Sequence, residues 1–132
     1  MCYNEENEYT VYLKYLEMMN QMKVAVVGSR ELFVEHLERF LPDDVTEIVS
    51  GGARGIDGCA RNYALEHHLQ LKEFLPEYEK YGRKAPLIRS ISIIEYAEQV
   101  LVFWDGKSRG SAFVIKQCRE RKIPVRVFLS KK

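Results

Sequence analysis

The chain has 132 residues, the length of one domain, and 46% of them are hydrophobic, enough to bury a core. Charges are dense but balanced, with 20 Lys+Arg against 19 Asp+Glu, which excludes the all-over basic footprint of a protein that coats DNA. No apolar run approaches the ~18 residues of a membrane span, and the N-terminus is acidic where a secretory leader is basic, so a cytoplasmic protein with no membrane partner is expected.

The balance is uneven along the chain. Residues 1–21 hold Glu5, Glu6, Glu8 and Glu17 against Lys14 alone, and the remainder carries nineteen bases against fifteen acids. That excess is a mild bias toward an anionic ligand. Cys2, Cys59 and Cys118 include no short-spaced pair. Cys59 and Cys118 sit in apolar periodic stretches and read as reduced core thiols. There is no ligand-spaced His/Cys cluster, and the adjacent His67 and His68 diverge by about 100° on a helix, so no metal is expected.

Residues 7–21 place Tyr9, Tyr12, Leu13, Leu16 and Met19 at helical spacing, which predicts an amphipathic N-terminal helix. Val24 to Val27, ending at Gly28, reads as a strand buried on both faces. Glu31 to Phe40 reads as a helix with Leu32, Phe33, His36, Leu37 and Phe40 inward, stopped by Pro42. Val45 to Val49 is a second strand, followed by the glycine-rich turn Ser50-Gly51-Gly52-Ala53-Arg54-Gly55. Ile56 to His68 is a helix with Ile56, Cys59, Ala60, Tyr63 and Ala64 on one face, and Leu69 to Leu75 is a third strand.

Pro76 to Arg83 reads as a polar and aromatic loop, with Tyr78 and Tyr81 as candidate lid residues. Lys84 to Ala97 is a helix with Pro86 in its first turn and Leu87, Ile88, Ile91 and Ile94 inward. Gln99 to Phe103 is a fourth strand, Trp104 to Gly110 a second glycine-bearing turn, Ser111 to Arg121 a helix, and Val125 to Leu129 a fifth strand. Strands alternating with helices imply parallel pairing through right-handed crossovers. The expected fold is α/β: a Rossmann-like, doubly wound three-layer sandwich around a five-stranded parallel sheet of order 3-2-1-4-5, spanning residues 22–132, with residues 1–21 as a helical extension. Ligands of such sheets bind where the winding reverses, here between strands 1 and 4.

Three strand-to-helix turns combine glycine or serine with arginine: Gly28-Ser29-Arg30, Ser50 to Gly55, and Gly106-Lys107-Ser108-Arg109-Gly110-Ser111. Glycine lets backbone N–H groups approach an anion, the next helix offers unpaired N–H donors, and arginine clamps phosphate in a bidentate fork. Named phosphate motifs fail, however. GxGxxG is missing after strand 1, and Gly106-Lys107-Ser108 lacks the P-loop's earlier glycine, whose position holds Leu101. Asp57 is either a helix-dipole partner or an acceptor for a ribose or base group. Asp105 is either a turn residue or a ligand contact, Arg89 a solvated charge or a phosphate contact, and Trp104 a packing residue or a base-stacking one.

Ser50-Gly51-Gly52-Ala53-Arg54-Gly55-Ile56-Asp57, with Ala60 and Ala64-Leu65, resembles the SGxARGID signature of the DNA-processing DprA family. Arg89 to Ile94 with Val100 to Phe103 is similar to its second conserved region, and Ser108-Arg109-Gly110-Ser111 to its SGS turn. The GSR, GGARGID and WDGxSRGS pattern at Gly28, Gly51 and Trp104 resembles the small YspA-type members of the SLOG superfamily more closely. The resemblance covers about residues 22–130 and implies a SLOG domain with a nucleotide-derived ligand. Two departures stand out. The LOG-type phosphoribohydrolases carry a catalytic glutamate where this chain has Val114, and the usual Asn of the second region is Ser90.

Three functions follow as expectations: binding or sensing of a nucleotide or nucleotide-derived phosphate, hydrolysis of a nucleotide N-glycosidic bond using Asp57 or Asp105, and single-stranded DNA binding along Arg30, Arg54, Arg83, Lys84, Arg89, Lys107 and Arg109. The first needs no catalytic acid, and no catalytic residue or cofactor is assigned. The N-terminal helix is expected either to cover a sheet edge or to make a homodimer through its Tyr/Leu/Met stripe.

Overall fold

The computed structural model describes residues 7–130, with the backbone alone for Glu17, Met18 and Met19. Cys2, Glu5, Glu6 and the side chains of Glu17 and Met19 therefore lie outside the described residues. Strands β1 (Lys23–Gly28), β2 (Glu47–Ser50), β3 (Gln70–Glu73), β4 (Gln99–Trp104) and β5 (Val125–Leu129) form one five-stranded, all-parallel sheet in the order β3-β2-β1-β4-β5. Val24 to Val27 are buried in its centre, with Ala25 beside Val49 and Val100, and Gly28 beside Phe103.

Alternate residues of each central strand face opposite layers, as the two-residue strand period requires. On one side Val24, Val26, Ile48, Leu101 and Phe103 pack with Ile56, Ala60 and Ala64 of α2 (Ile56–Glu66). On the other, Ala25, Val27, Val49, Val100 and Val102 meet Ile93 and Ile94 of α4 (Ala85–Tyr96) and Val114, Ile115 and Cys118 of α5 (Arg109–Glu120). The expected Rossmann-like three-layer fold is the one the chain adopts. Helix α1 (Glu8–Met19) precedes it, its N-terminus capped by Asn7, whose Oδ1 accepts the Thr10 N–H at 2.8 Å. No helix of the described residues is long and apolar enough to cross a membrane.

Three local expectations are corrected. Residues 31–40 are not an α-helix but an irregular segment with a single 3-10 turn at Leu37–Arg39. The Val34 N–H goes to Cys59 Sγ, and His36 adopts φ 57°, which breaks the helical hydrogen-bond ladder. Packing of Leu32, Leu37 and Leu41 over α2 and the sheet overrides local propensity, and Phe33 and His36 are left exposed. The segment after β3 is not all loop: it forms the one-turn helix α3 (Tyr78–Tyr81) and a 3-10 turn leading into α4. In α4 the buried positions are Ala85, Ile93 and Ile94, whereas Leu87 is exposed because that end of the helix overhangs an open crevice.

At the amino rim of the sheet, Glu47 is buried and accepts a short hydrogen bond from the Tyr96 hydroxyl, while Lys23 Nζ lies 4.2 Å from the Tyr96 ring centroid. That bond, together with burial, pushes the Tyr96 phenol up to about 12. Tyr96→Phe leaves the Glu47 carboxylate short of a donor away from water. It is expected to cost ~1–3 kcal/mol, read as a lower urea midpoint at unchanged slope.

Candidate functional site

A crevice of about 380 Å³ opens at the carboxyl rim, between the ends of β1 and β4. Its walls are the turn after β1 (Gly28, Ser29, Arg30), the turn after β2 (Gly51, Ala53) with Asp57 of α2, the turn after β4 (Asp105, Ser108) with Gly110 and Ser111 of α5, and the near face of α4. This is the place where a doubly wound sheet reverses its winding and holds its ligands.

Ser29 joins the first and third turns. Its N–H donates to the Phe103 carbonyl at 3.0 Å, its Oγ lies 3.0 Å from Ser108 Oγ, and that same oxygen accepts the Asp105 N–H at 3.2 Å. Asp105 Oδ1 in turn accepts the N–H groups of Ser108 and Lys107, each at 2.8 Å. These backbone donors hold its carboxyl below its ordinary range, so it serves as an ionised brace for the turn. Ser108 is the N-cap of α5, yet its side chain makes no capping bond. The first-turn N–H groups of α5 keep their positive end toward the crevice, and nothing stands within 4 Å of a Cβ at Gly110.

The second turn carries the charged pair. Arg89 Nη1 donates to the Gly51 carbonyl at 2.7 Å. A Cβ at residue 51 would fall 2.5 Å from that nitrogen and 3.1 Å from Asp57 Oδ2, so glycine there lets the two side chains approach each other. Asp57 is buried, and its Oδ2 accepts the Ala53 N–H at 3.2 Å. Burial pushes its carboxyl above the ordinary value, against the opposing pull of the Ala53 N–H and the Arg89 guanidinium. Behind the turn, Arg61 donates to Glu73 Oε2 through Nε at 3.0 Å and Nη2 at 2.7 Å, and Ser50 Oγ accepts the Gly52 N–H at 3.2 Å. Gly55, at φ 71°, packs directly on the Arg30 carbonyl and locks the first two turns together.

A carboxyl raised on folding binds its proton more tightly in the native chain than in the unfolded one. Stability therefore falls as pH rises through the window between the ordinary and the raised value. Asp57→Asn removes that slope while keeping an acceptor for Ala53. The variant is expected to melt above wild type at neutral pH, and the gap to close as pH falls below the ordinary aspartate value of ~3.9, where Asp57 is protonated in both states. Melting curves across pH check this.

The three turns converge, but their arginines do not. Arg30 lines the crevice and Arg89 reaches it from α4. Arg54 is turned outward, with Nη2 2.8 Å from Glu31 Oε1, and faces a shallower hollow shared with Arg30, Gly52 and Ala53. Arg109 and Lys107 are exposed and outside the crevice lining, as are Arg83 and Lys84. Trp104 also lies outside: its Nε1 donates to the Ser108 carbonyl at 3.0 Å and its ring packs along α5. Ser50, Gly52, Gly55 and Gly106 shape the turns without lining the crevice. The structure adds Val27, Pro86, Leu87, Ile93 and Val114 to the walls as an apolar set, together with the polar Glu31 and Ser90. Local spacing carried no signal for this wall, because the face that α4 turns to the crevice is set by its packing on α5 and the sheet.

Fold and site together define a Rossmann-like α/β domain with a crevice at the reversal point that presents backbone N–H donors and a guanidinium. The family model of DNA recombination-mediator protein A matches residues 8–78, more than half of the chain, and the chain belongs to that family. The match takes in α1, the first two turns and Asp57. No curated protein and no solved structure matches the chain at a significant level.

Proposed function

We propose that the crevice binds a nucleotide or a nucleotide-derived phosphate, as a binding or sensing module of the YspA-type SLOG kind. The observation that carries this reading is the convergence of three glycine-and-serine turns and Arg89 on one crevice. The uncapped start of α5 and the hydroxyls of Ser29, Ser108 and Ser111 are suited to a phosphate. Arg30 and Arg89 add charge, and Pro86, Leu87, Ile93 and Val114 offer an apolar bed for a base. Asp57 is placed to accept from a ribose or base N–H or O–H. Val114 puts methyl groups where LOG-type hydrolases carry their glutamate, which supports binding without glycosidic cleavage.

Thermal shift against a panel of nucleoside monophosphates tests the reading. A ligand at 100 times its Kd stabilises by about 2.7 kcal/mol, which raises the midpoint by several degrees. No shift from any member, or release of free base during incubation, would overturn it. The family's name, which speaks of DNA recombination, supports a second reading, single-stranded DNA binding, as does the hollow that Arg30 and Arg54 share beside the crevice. That reading requires affinity for an oligonucleotide to fall steeply with salt, by about 0.7 log unit per log unit of salt for each phosphate neutralised.

A further inference from the structure

A crevice for phosphate is expected to be cationic, yet this lining holds three acids, Glu31, Asp57 and Asp105, against two guanidiniums, Arg30 and Arg89. Two of the acids are answered locally. Glu31 Oε1 meets Arg54 Nη2 at 2.8 Å, and Asp105 Oδ1 takes the N–H groups of Lys107 and Ser108 at 2.8 Å. Asp57 is placed differently. It is 7% exposed, so water does little to screen it, and its Oδ2 accepts the Ala53 N–H at 3.2 Å. Arg61, on the same helix, is bonded twice to Glu73, and Glu73 itself repels a charge on Asp57. The cation that favours ionised Asp57 from across the crevice is Arg89. Arg89 is also the guanidinium held inside the crevice for a phosphate, since Arg30 is exposed. Once a phosphate enters, one guanidinium faces two anions.

On the reading that the crevice binds a nucleotide phosphate, we propose that it takes up one proton together with that ligand, and that Asp57 is the carboxylate that receives it. The site is thereby regulated by pH: nucleotide and hydrogen ion bind as a pair. A phosphate beside Asp57 adds like charge, draws on Arg89 and shuts out water, and each of these disfavours the ionised carboxyl. Burial already pushes that carboxyl above its ordinary value in the chain alone, and the ligand pushes it further in the same direction. The carboxylate takes its proton from solvent and becomes a neutral carboxylic acid, and the lining passes from one excess negative charge to balance. The neutral group keeps an acceptor oxygen and gains an O–H donor for the ligand.

Linkage fixes the sign. Below the raised value of the chain alone, Asp57 is protonated with or without ligand, and its effect on affinity is level. Between that value and the higher one of the complex, binding takes up a proton, and affinity falls as pH rises by up to about tenfold per pH unit. Above both, Asp57 stays ionised and the ligand is held weakly.

The test is titration calorimetry of the full chain with whichever of AMP, GMP, CMP and UMP raises its melting point most. It is run from about pH 5 to pH 8.5, where a carboxyl of raised value titrates, in pairs of buffers that differ in ionisation enthalpy. The slope of heat against that enthalpy counts the protons taken up. Nucleotide phosphates titrate at about pH 6 themselves, so Asp57→Asn, neutral at every pH, is measured beside the wild type. The wild type is expected to take up as much as one proton more than Asp57→Asn. The variant is expected to hold the nucleotide about tenfold or more tightly than wild type at about pH 8, with the gap closing as pH falls. Asp105→Asn is expected to take up as many protons as wild type, because backbone donors keep that carboxyl ionised. Equal proton counts in wild type and Asp57→Asn at every pH overturn the proposal and leave nucleotide binding standing. A wild-type chain that takes up no proton at any pH overturns it without reference to a variant. Uptake lost in Asp105→Asn and kept in Asp57→Asn overturns it by moving the proton to the other carboxyl. If none of the four nucleotides shifts the melting point or gives heat, the binding reading itself falls, and the linkage with it.

Discussion

Gly28→Ala is expected to destabilise the chain by ~3 kcal/mol or more, one of the largest effects of any single methyl group in this fold. Gly28 ends the central strand, and a Cβ there would sit 2.3 Å from the Phe103 carbonyl oxygen of β4 and 2.7 Å from Ile56 Cγ1. The carbonyl is backbone in the middle of the sheet and already accepts the Ser29 N–H, so it has no room to yield. Ile56 begins α2 and is fully buried, so it cannot swing away either. Gly58→Ala is the control. A Cβ at Gly58, inside α2, meets nothing within 4 Å, and the same added methyl group there is expected to stabilise by about 0.5–1 kcal/mol. Urea denaturation of the two variants checks the contrast. A Gly28→Ala midpoint equal to wild type would mean that β1, β4 and α2 do not meet as closely as described.

Arg89→Ala is expected to weaken binding of a phosphate ligand to the crevice by about 10- to 100-fold, the effect of losing a hydrogen-bonded charge. Arg89 is the guanidinium held inside the crevice rather than at its lip, and one nitrogen is fixed on the Gly51 carbonyl. That anchor orients the remaining donors, so a ligand need not spend its binding energy on ordering a flexible side chain. Arg89→Lys keeps the charge without the planar fork and is expected to fall between the two. Removal of the guanidinium also takes away a charge that favours ionised Asp57, so the Asp57 carboxyl rises further in Arg89→Ala. Titration calorimetry with a nucleoside monophosphate that shifts the wild-type melting point reads the affinities. Arg54→Ala is the comparison: its guanidinium is 74% exposed and paired with Glu31, and little change is expected for a ligand seated in the crevice.

Much of this protein can be read from its chain in order. The β-branched run at Val24 to Val27 has to be a doubly buried strand, and the alternation of such runs with helical patterns implies a parallel sheet whose simplest order is the one found. The three glycine-bearing turns follow directly, since each ends a strand and opens toward a helix. Their gathering at one rim is then a property of parallel topology, in which every strand ends on the same side.

Where the side chains go is another matter. Arg30, Arg54 and Arg109 look equivalent along the sequence, yet only Arg30 lines the crevice, and Arg89 comes to it from an apolar helix. Residues 31–40 carry a passable helical pattern and are not a helix, because Leu32, Leu37 and Leu41 gain more by packing on α2 and the sheet than the backbone gains from another helical turn. The sequence by itself determined the layers, the strand order and the end of the sheet that matters, since hydrophobic period and connection length act locally. Tertiary structure alone decided which guanidinium faces inward and how deeply Asp57 is buried. Those outcomes depend on the relative rotation of packed helices and on the desolvation it imposes, and no local pattern encodes either.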